Sequence, residues 1–289
     1  MSRVIDPSTL FVSAQWLADH LEDPGVLAFD ASWHMPAANR NAREEYLAGH
    51  IPGAVFFDID GVADHSTNLP HMLPSPEVFA AEMRRLGFAD GMQAVVYDSV
   101  GLFSAPRLWW TLHAFGADRG SILEGGLPAW KAEGRPLQTG DVVREPKEFT
   151  PRFDAGLVAD AAQVNAALLS GAAQVVDARS ADRFMGLVPE PRPGLRGGHM
   201  PGAYNLPFPA VVEGGRMKDK AGLDAAFAAA GLDPEKATIA SCGSGMTACI
   251  LSLALAASGR APATVYDGSW SEWGGRADLP TVSYTGAAA

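Results

Sequence analysis

The chain has 289 residues, 47% of them apolar, and a formal net charge of −11. That length suits two domains of about 140 residues, each with its own core. The acidic balance excludes a nucleic-acid or anionic-membrane surface, which needs a basic patch, and no apolar run approaches the ~20 residues that cross a bilayer. Two cysteines seven positions apart cannot build a disulfide framework, and the first residues lack the apolar core of a secretion signal, so the expected setting is the reducing cytoplasm.

In chain order, the apolar run Val26-Leu27-Ala28-Phe29-Asp30-Ala31-Ser32 predicts a buried strand ending in an aspartate. His50-Ile51-Pro52-Gly53-Ala54 is a turn, and Ala94-Val95-Val96-Tyr97-Asp98 is a second strand before a helix over residues 105–115. Glu124-Gly125-Gly126-Leu127-Pro128-Ala129-Trp130 closes the unit, and the stretch with Pro136, Pro146 and Pro151 reads as a linker. The same series then returns. Val175-Val176-Asp177-Ala178-Arg179 echoes the first strand, and His199-Met200-Pro201-Gly202-Ala203 echoes the turn. Thr238-Ile239-Ala240-Ser241-Cys242 echoes the second strand, a helix follows over residues 247–257, and Asp267-Gly268-Ser269-Trp270-Ser271-Glu272-Trp273 matches the closing segment.

Four matches in the same order, with 32 residues from Asp98 to Trp130 and 31 from Cys242 to Trp273, mean a duplicated domain. Alternating strands and helices predict an α/β fold: two tandem domains, each a mainly parallel sheet with helices on both faces. The boundaries expected are residues 1–135, a linker over 136–156, and residues 157–289. The proline-rich loop over 185–198, with Arg192 and Arg196, belongs to the second copy alone.

Cys242 ends a strand, is followed by Gly243-Ser244-Gly245, and stands just before a helix. Backbone N–H groups of the turn and of the helix's first turn are expected to point at its sulfur and favour thiolate, with the two glycines supplying positive φ. Such a thiolate can attack sulfur and carry it as a persulfide. The alternative is a small buried residue at a strand end. That packing role is the reading for Cys249, which lies two turns into the helix. Gly243-x-Gly245-x-x-Ala248 followed by Asp267 also fits a dinucleotide fingerprint, although the equivalent turn Ser99-Val100-Gly101 holds one glycine and Glu124 stands where Asp267 does. A cysteine phosphatase needs a loop-closing arginine, and the sixth position after Cys242 is Ala248. His50 and His199 occur in both copies while only one copy has the cysteine, so both read as structural. Asp98 occupies the cysteine's place in the first copy and cannot carry sulfane sulfur, which makes that domain catalytically silent.

The strand-end aspartates, the two His-x-Pro-Gly-Ala segments and the Gly/Trp endings resemble the tandem-domain rhodanese superfamily from about Phe11 to Trp273. Within it, Cys242-Gly243-Ser244-Gly245-Met246-Thr247-Ala248 is similar to the loop of the 3-mercaptopyruvate sulfurtransferases, Cys-Gly-Ser/Thr-Gly-Val-Thr-Ala, with Met246 the one departure. The resemblance implies a sulfurtransferase in which Cys242 takes sulfur from 3-mercaptopyruvate, releases pyruvate and passes the sulfur on to a thiol, a thioredoxin or cyanide. It implies Gly243, Gly245, Met246 and Thr247 as substrate-loop residues, and Arg183 and Arg192 as the grip on the substrate's carboxylate and keto oxygen. It also implies an Asp60–His71–Ser244 relay beside the cysteine, and no metal or organic cofactor beyond the Cys242 persulfide. Thiosulfate:cyanide sulfurtransfer is the alternative, disfavoured by the uncharged Gly243-Ser244 pair. A non-enzymatic rhodanese-like binding module is the remoter one.

Overall fold

The computed structural model describes residues 5–284. The first copy runs β1 (Phe11–Val12), α1 (Ala14–Asp19), β2 (Val26–Asp30), α2 (Ala42–Ala48), β3 (Val55–Phe56), α3 (Pro76–Arg85), β4 (Gln93–Tyr97), α4 (Ala105–Ala114), β5 (Gly120–Leu123) and α5 (Gly126–Ala132). Its five strands form a sheet in the order β1-β5-β4-β2-β3, every pair parallel. All five residues of β2 are buried, as expected of a strand covered on both faces.

The second copy repeats this plan with β6 (Val158–Ala159), α6 (Ala161–Ser170), β7 (Gln174–Asp177), α7 (Ala181–Met185) and β8 (Tyr204–Asn205). A hairpin of β9 (Val212–Glu213) and β10 (Arg216–Met217) follows, then α8 (Lys220–Ala229), β11 (Thr238–Ser241), α9 (Ala248–Ala257), β12 (Thr264–Tyr266) and α10 (Ser269–Trp273). The sheet order β6-β12-β11-β7-β8 is that of the first copy, again parallel throughout. Each domain is therefore a five-stranded parallel sheet with helices on both faces.

The two copies meet through equivalent helices. α4 packs on α9, and α9 is buried along its whole length except Ala257. A helix that is apolar all round, such as Ala-Cys-Ile-Leu-Ser-Leu-Ala-Leu-Ala-Ala, has no face to give to water. One core accordingly runs through both domains, from Phe29 and Leu108 to Ile250 and Leu253, while separate clusters line the outer faces of the two sheets. Residues 139–154 lie along the first domain: Phe149 is buried against Phe79 and Phe88, and its carbonyl accepts from Arg84. No helix among the described residues is long and apolar enough to cross a membrane.

His50 and His199 hold matching places. Each Nδ1 bonds a backbone carbonyl at 2.8 Å (Tyr46 and Phe184), and each ring stacks on that residue's aromatic ring. The duplication thus extends to hydrogen bonds, and each histidine fastens its turn to the preceding helix.

Candidate active site

β11 ends at Ser241, and Cys242 begins the loop into α9. It is 1% exposed, on the floor of a cleft of about 230 Å³ between the domains. Trp33, Met35 and Phe103 of the first domain form one wall. Arg183, Arg192 and Phe208 form the other, with Gly243, Ser244, Met246 and Thr247 around the cysteine. These predicted residues therefore share one cavity, whereas Asp60 and His71 stand behind it and Gly245 lies beneath.

The two loop glycines are needed for different reasons. Gly245 has φ +76, and a Cβ there would come within 3.0 Å of Asp267 and Arg107. Gly243 does not have positive φ, contrary to the expectation for both; a Cβ there would strike the Arg183 guanidinium, 2.9 Å away. Arg183 lies directly on the loop.

The N–H groups are also arranged otherwise than expected. Those of Cys242 and Gly245 donate to the Ser269 hydroxyl at 3.1 Å each, not to the cysteine sulfur. Ser269 in turn donates to the Tyr266 carbonyl, and its Oγ is 4.0 Å from Cys242 Sγ. What the remaining N–H groups of the loop can do is visible in the other copy. There the Asp98 carboxylate, fully buried, accepts from the backbone of Val100, Gly101, Phe103, Ser104 and Ala105 at 2.7–2.9 Å. This turn geometry is an anion cradle. In the first copy a carboxylate fills it, and in the second Cys242 stands at its mouth.

Half of the expected relay is formed. His71 Nδ1 is 2.5 Å from Asp60 Oδ1, and the Trp33 indole donates to Asp60 Oδ2 at 2.7 Å. Burial works to raise the Asp60 carboxyl, but the His71 bond and charge, the Trp33 bond and the positive Arg192 outweigh it and hold it below the ordinary carboxylate value. The other half is absent: His71 Nε2 faces Arg192 Nη2 at 3.4 Å, and among the described residues no hydrogen bond joins it to Ser244. The contact on this side of His71 is thus Arg192, and Ser244 lines the cleft. Burial pulls the Arg192 guanidinium below its ordinary value; the positive Arg183 adds to this and the Asp60 and Glu190 carboxylates oppose it.

His71 is one of three non-glycine residues with positive φ among those described, at +61, and Ser269 is another, at +48. Such backbone strain persists only where surroundings enforce it. Arg107 supplies that enforcement. This buried α4 residue donates to the His71 carbonyl, to the Gly245 carbonyl at 3.1 Å and to Asp267 at 2.6 Å, while Asp267 accepts from Leu73 N at 2.7 Å. Asp267 is thus an inter-domain anchor, which removes the dinucleotide reading's acidic residue. Cys249 is fully buried with its Sγ on the Gly245 carbonyl at 3.2 Å, and burial pushes its thiol far up. Arg196 bonds the carbonyls of Gly274, Trp273 and Arg276, a structural clamp.

The rhodanese-like domain family matches this sequence twice, over residues 13–133 and 160–276. The chain belongs to the rhodanese family. Among curated rhodanese-family relatives, it is 48% identical over 274 residues to the 3-mercaptopyruvate sulfurtransferase of Escherichia coli, covering 94% of this chain and 98% of that one. It is 39% identical to the mitochondrial thiosulfate/3-mercaptopyruvate sulfurtransferase 1 of Arabidopsis thaliana, over 96% and 79% of the two chains. The fold is similar to the crystal structure of SseA, a 3-mercaptopyruvate sulfotransferase of Escherichia coli, with a TM-score of 0.84, 46% identity, and coverage of 91% of this chain and 99% of that one.

Sequence reasoning did not single out Arg107, Ser269, Trp33 or Glu190. Two of these carried a signal. Arg107 is a charge inside the apolar stretch Ala-Pro-Arg-Leu-Trp-Trp, where only a buried partner makes it tolerable. Ser269 stands where the first copy has Gly126, at similar positive φ, beside the cysteine loop.

Proposed function

We propose that this rhodanese-family chain is a 3-mercaptopyruvate sulfurtransferase with Cys242 as nucleophile. The observation that carries this reading is the floor of the cleft: one buried cysteine beneath Arg183 and Arg192, followed by the uncharged Gly243 and Ser244. The naming of the Escherichia coli relative supports the same donor. Two guanidinium groups suit a 2-oxo acid, whose carboxylate and keto oxygen present acceptors side by side. Cys242 thiolate attacks the substrate's thiol sulfur. The S–S bond forms as the carbon–sulfur bond breaks, its electron pair passes into the enolate of pyruvate, and a proton completes the product. The Ser244 hydroxyl in the cleft and His71, aligned by Asp60 and in contact with Arg192, are the groups assigned to orient the substrate and handle that proton.

The outer sulfur of the Cys242 persulfide is held as an anion by the loop's N–H groups, as the Asp98 carboxylate is held in the first copy. A thiol, a thioredoxin or cyanide then removes it. No metal or organic cofactor takes part. The first domain is silent in this chemistry and contributes the wall with Trp33 and Phe103, together with His71. Two unpaired cysteines suit a reducing compartment, here the cytoplasm. Cys242→Ser tests the assignment: pyruvate release from mercaptopyruvate should fall to the uncatalysed rate, and appreciable residual turnover would refute it.

A further inference from the structure

Asp98 carries no sulfur, yet hydrogen bonds lead from its carboxylate into the cleft of the other domain. Its Oδ1 accepts from the N–H of Val100 at 2.9 Å and of Gly101 at 2.8 Å. Its Oδ2 accepts from Phe103 at 2.7 Å and from Ser104 and Ala105 at 2.9 Å each. Burying a carboxylate is costly unless bonds of this kind answer it, and here they tie the turn from residue 100 to 105 around one anion.

Two residues of that turn serve the cleft. Phe103 is part of its wall, with its ring 6.4 Å from that of Trp33 and 5.7 Å from that of Phe208. The buried Ser104 hydroxyl accepts from Trp33 N at 3.0 Å and donates to the Ala31 carbonyl at 2.7 Å. Trp33 then reaches the catalytic pair twice. Its indole N–H donates to Asp60 Oδ2, and its ring meets the edge of His71 at 4.8 Å. Asp98, Ser104, Trp33, Asp60 and His71 are thus joined in series, each to the next by a hydrogen bond.

We propose that Asp98 is a positioning residue for sulfur transfer at Cys242: it fixes the turn that sets Phe103 and Trp33, and through Trp33 the Asp60–His71 pair. This rests on the sulfurtransferase reading above. The residues on the path bear on one half-reaction. Trp33 and Phe103 wall the space that mercaptopyruvate enters, and His71 stands by the proton that completes pyruvate. Attack of cyanide on the outer sulfur of the Cys242 persulfide releases thiocyanate and the thiolate and moves no proton, so it needs none of them.

The two half-reactions, measured separately in the full chain, test the proposal. In Asp98→Ala, kcat/KM for pyruvate release should fall about tenfold to a hundredfold, while discharge of the preloaded persulfide to cyanide stays within about twofold. Ser104→Ala leaves Asp98 in place and removes only the hydroxyl beneath Trp33. It should show the same selective loss, and the two losses should combine less than additively in the double variant. An equal fall in both half-reactions, or full activity in a folded Asp98→Ala, is what a mere loop brace gives and overturns the proposal. Should Asp98→Ala not fold, Ser104→Ala decides alone, and an unselective or absent loss there overturns it. A wild-type protein that forms no pyruvate from mercaptopyruvate overturns the donor reading and this proposal together, whereas an active wild type beside unselective variants overturns this proposal only.

Discussion

Asp30 and Asp177 end equivalent strands, yet their surroundings set them apart. Asp177 is answered by Arg179 two positions on, and at the matching place after Asp30 the chain has Ser32. Burial therefore pushes the Asp30 carboxyl up to about 6, against the lowering effect of its bonds from Ser32 and Tyr97, with nearby Asp98 adding to the rise. Between about pH 4 and about pH 6 Asp30 holds a proton in the folded protein that it has released in the unfolded chain, so its own contribution to stability falls as pH rises through that window, by up to about 3 kcal/mol. Asp30→Asn should remove this loss: thermal melts should show the variant more stable than the parent at about pH 7.5 and level with it at about pH 4. An advantage of the variant over the parent that does not grow from about pH 4 to about pH 7.5 would contradict the assignment. The strand-end aspartates were legible because the repeat prints them twice. The raised Asp30 carboxyl was not, since it depends on burial and on the nearby Asp98, with no arginine two positions after Asp30.

At the scale of elements, α4 and α9 could each be read from their apolar runs. The expected spans 105–115 and 247–257 differ from Ala105–Ala114 and Ala248–Ala257 by one residue. Their mutual packing was not readable, because it joins copies far apart in sequence, and with it went the Arg107–Asp267 anchor. That ion pair is buried on both sides, 3% exposed each. Removing one partner of such a pair leaves an uncompensated charge, at a cost of about 3–5 kcal/mol. Arg107→Leu should lower the urea midpoint accordingly, and pairing it with Asp267→Asn should restore part of the loss. Since Arg107 also holds His71 and Gly245, the single variant should lower kcat even where it remains folded. Full activity in a folded Arg107→Leu would show that the anchor does not position the site.

For the whole molecule, the duplication explains where the site lies and why there is one. Each copy places a turn between a strand end and a helix at the same point, at Asp98 and at Cys242. Asp98 fills the first with its own carboxylate, and the Gly214-Gly215 turn of the β9–β10 hairpin packs against that loop at Gly101. The second holds Cys242 and opens to a cleft completed by the other domain. The loop around Cys242 was legible as chemistry, and its resemblance to sulfurtransferase loops named the donor. Two details waited for the fold: the turn of Gly245 N–H onto Ser269, and the facing of His71 toward Arg192. Both are set by residues from separate segments that no local pattern connects. The central claim is that Cys242 alone carries the transferred sulfur. Intact-mass measurement after incubation with mercaptopyruvate, without acceptor, tests it most directly. The protein should gain one sulfur, about 32 daltons, mapping to the Cys242 peptide and lost on thiol treatment; no gain, or sulfur on Cys249, would contradict the account.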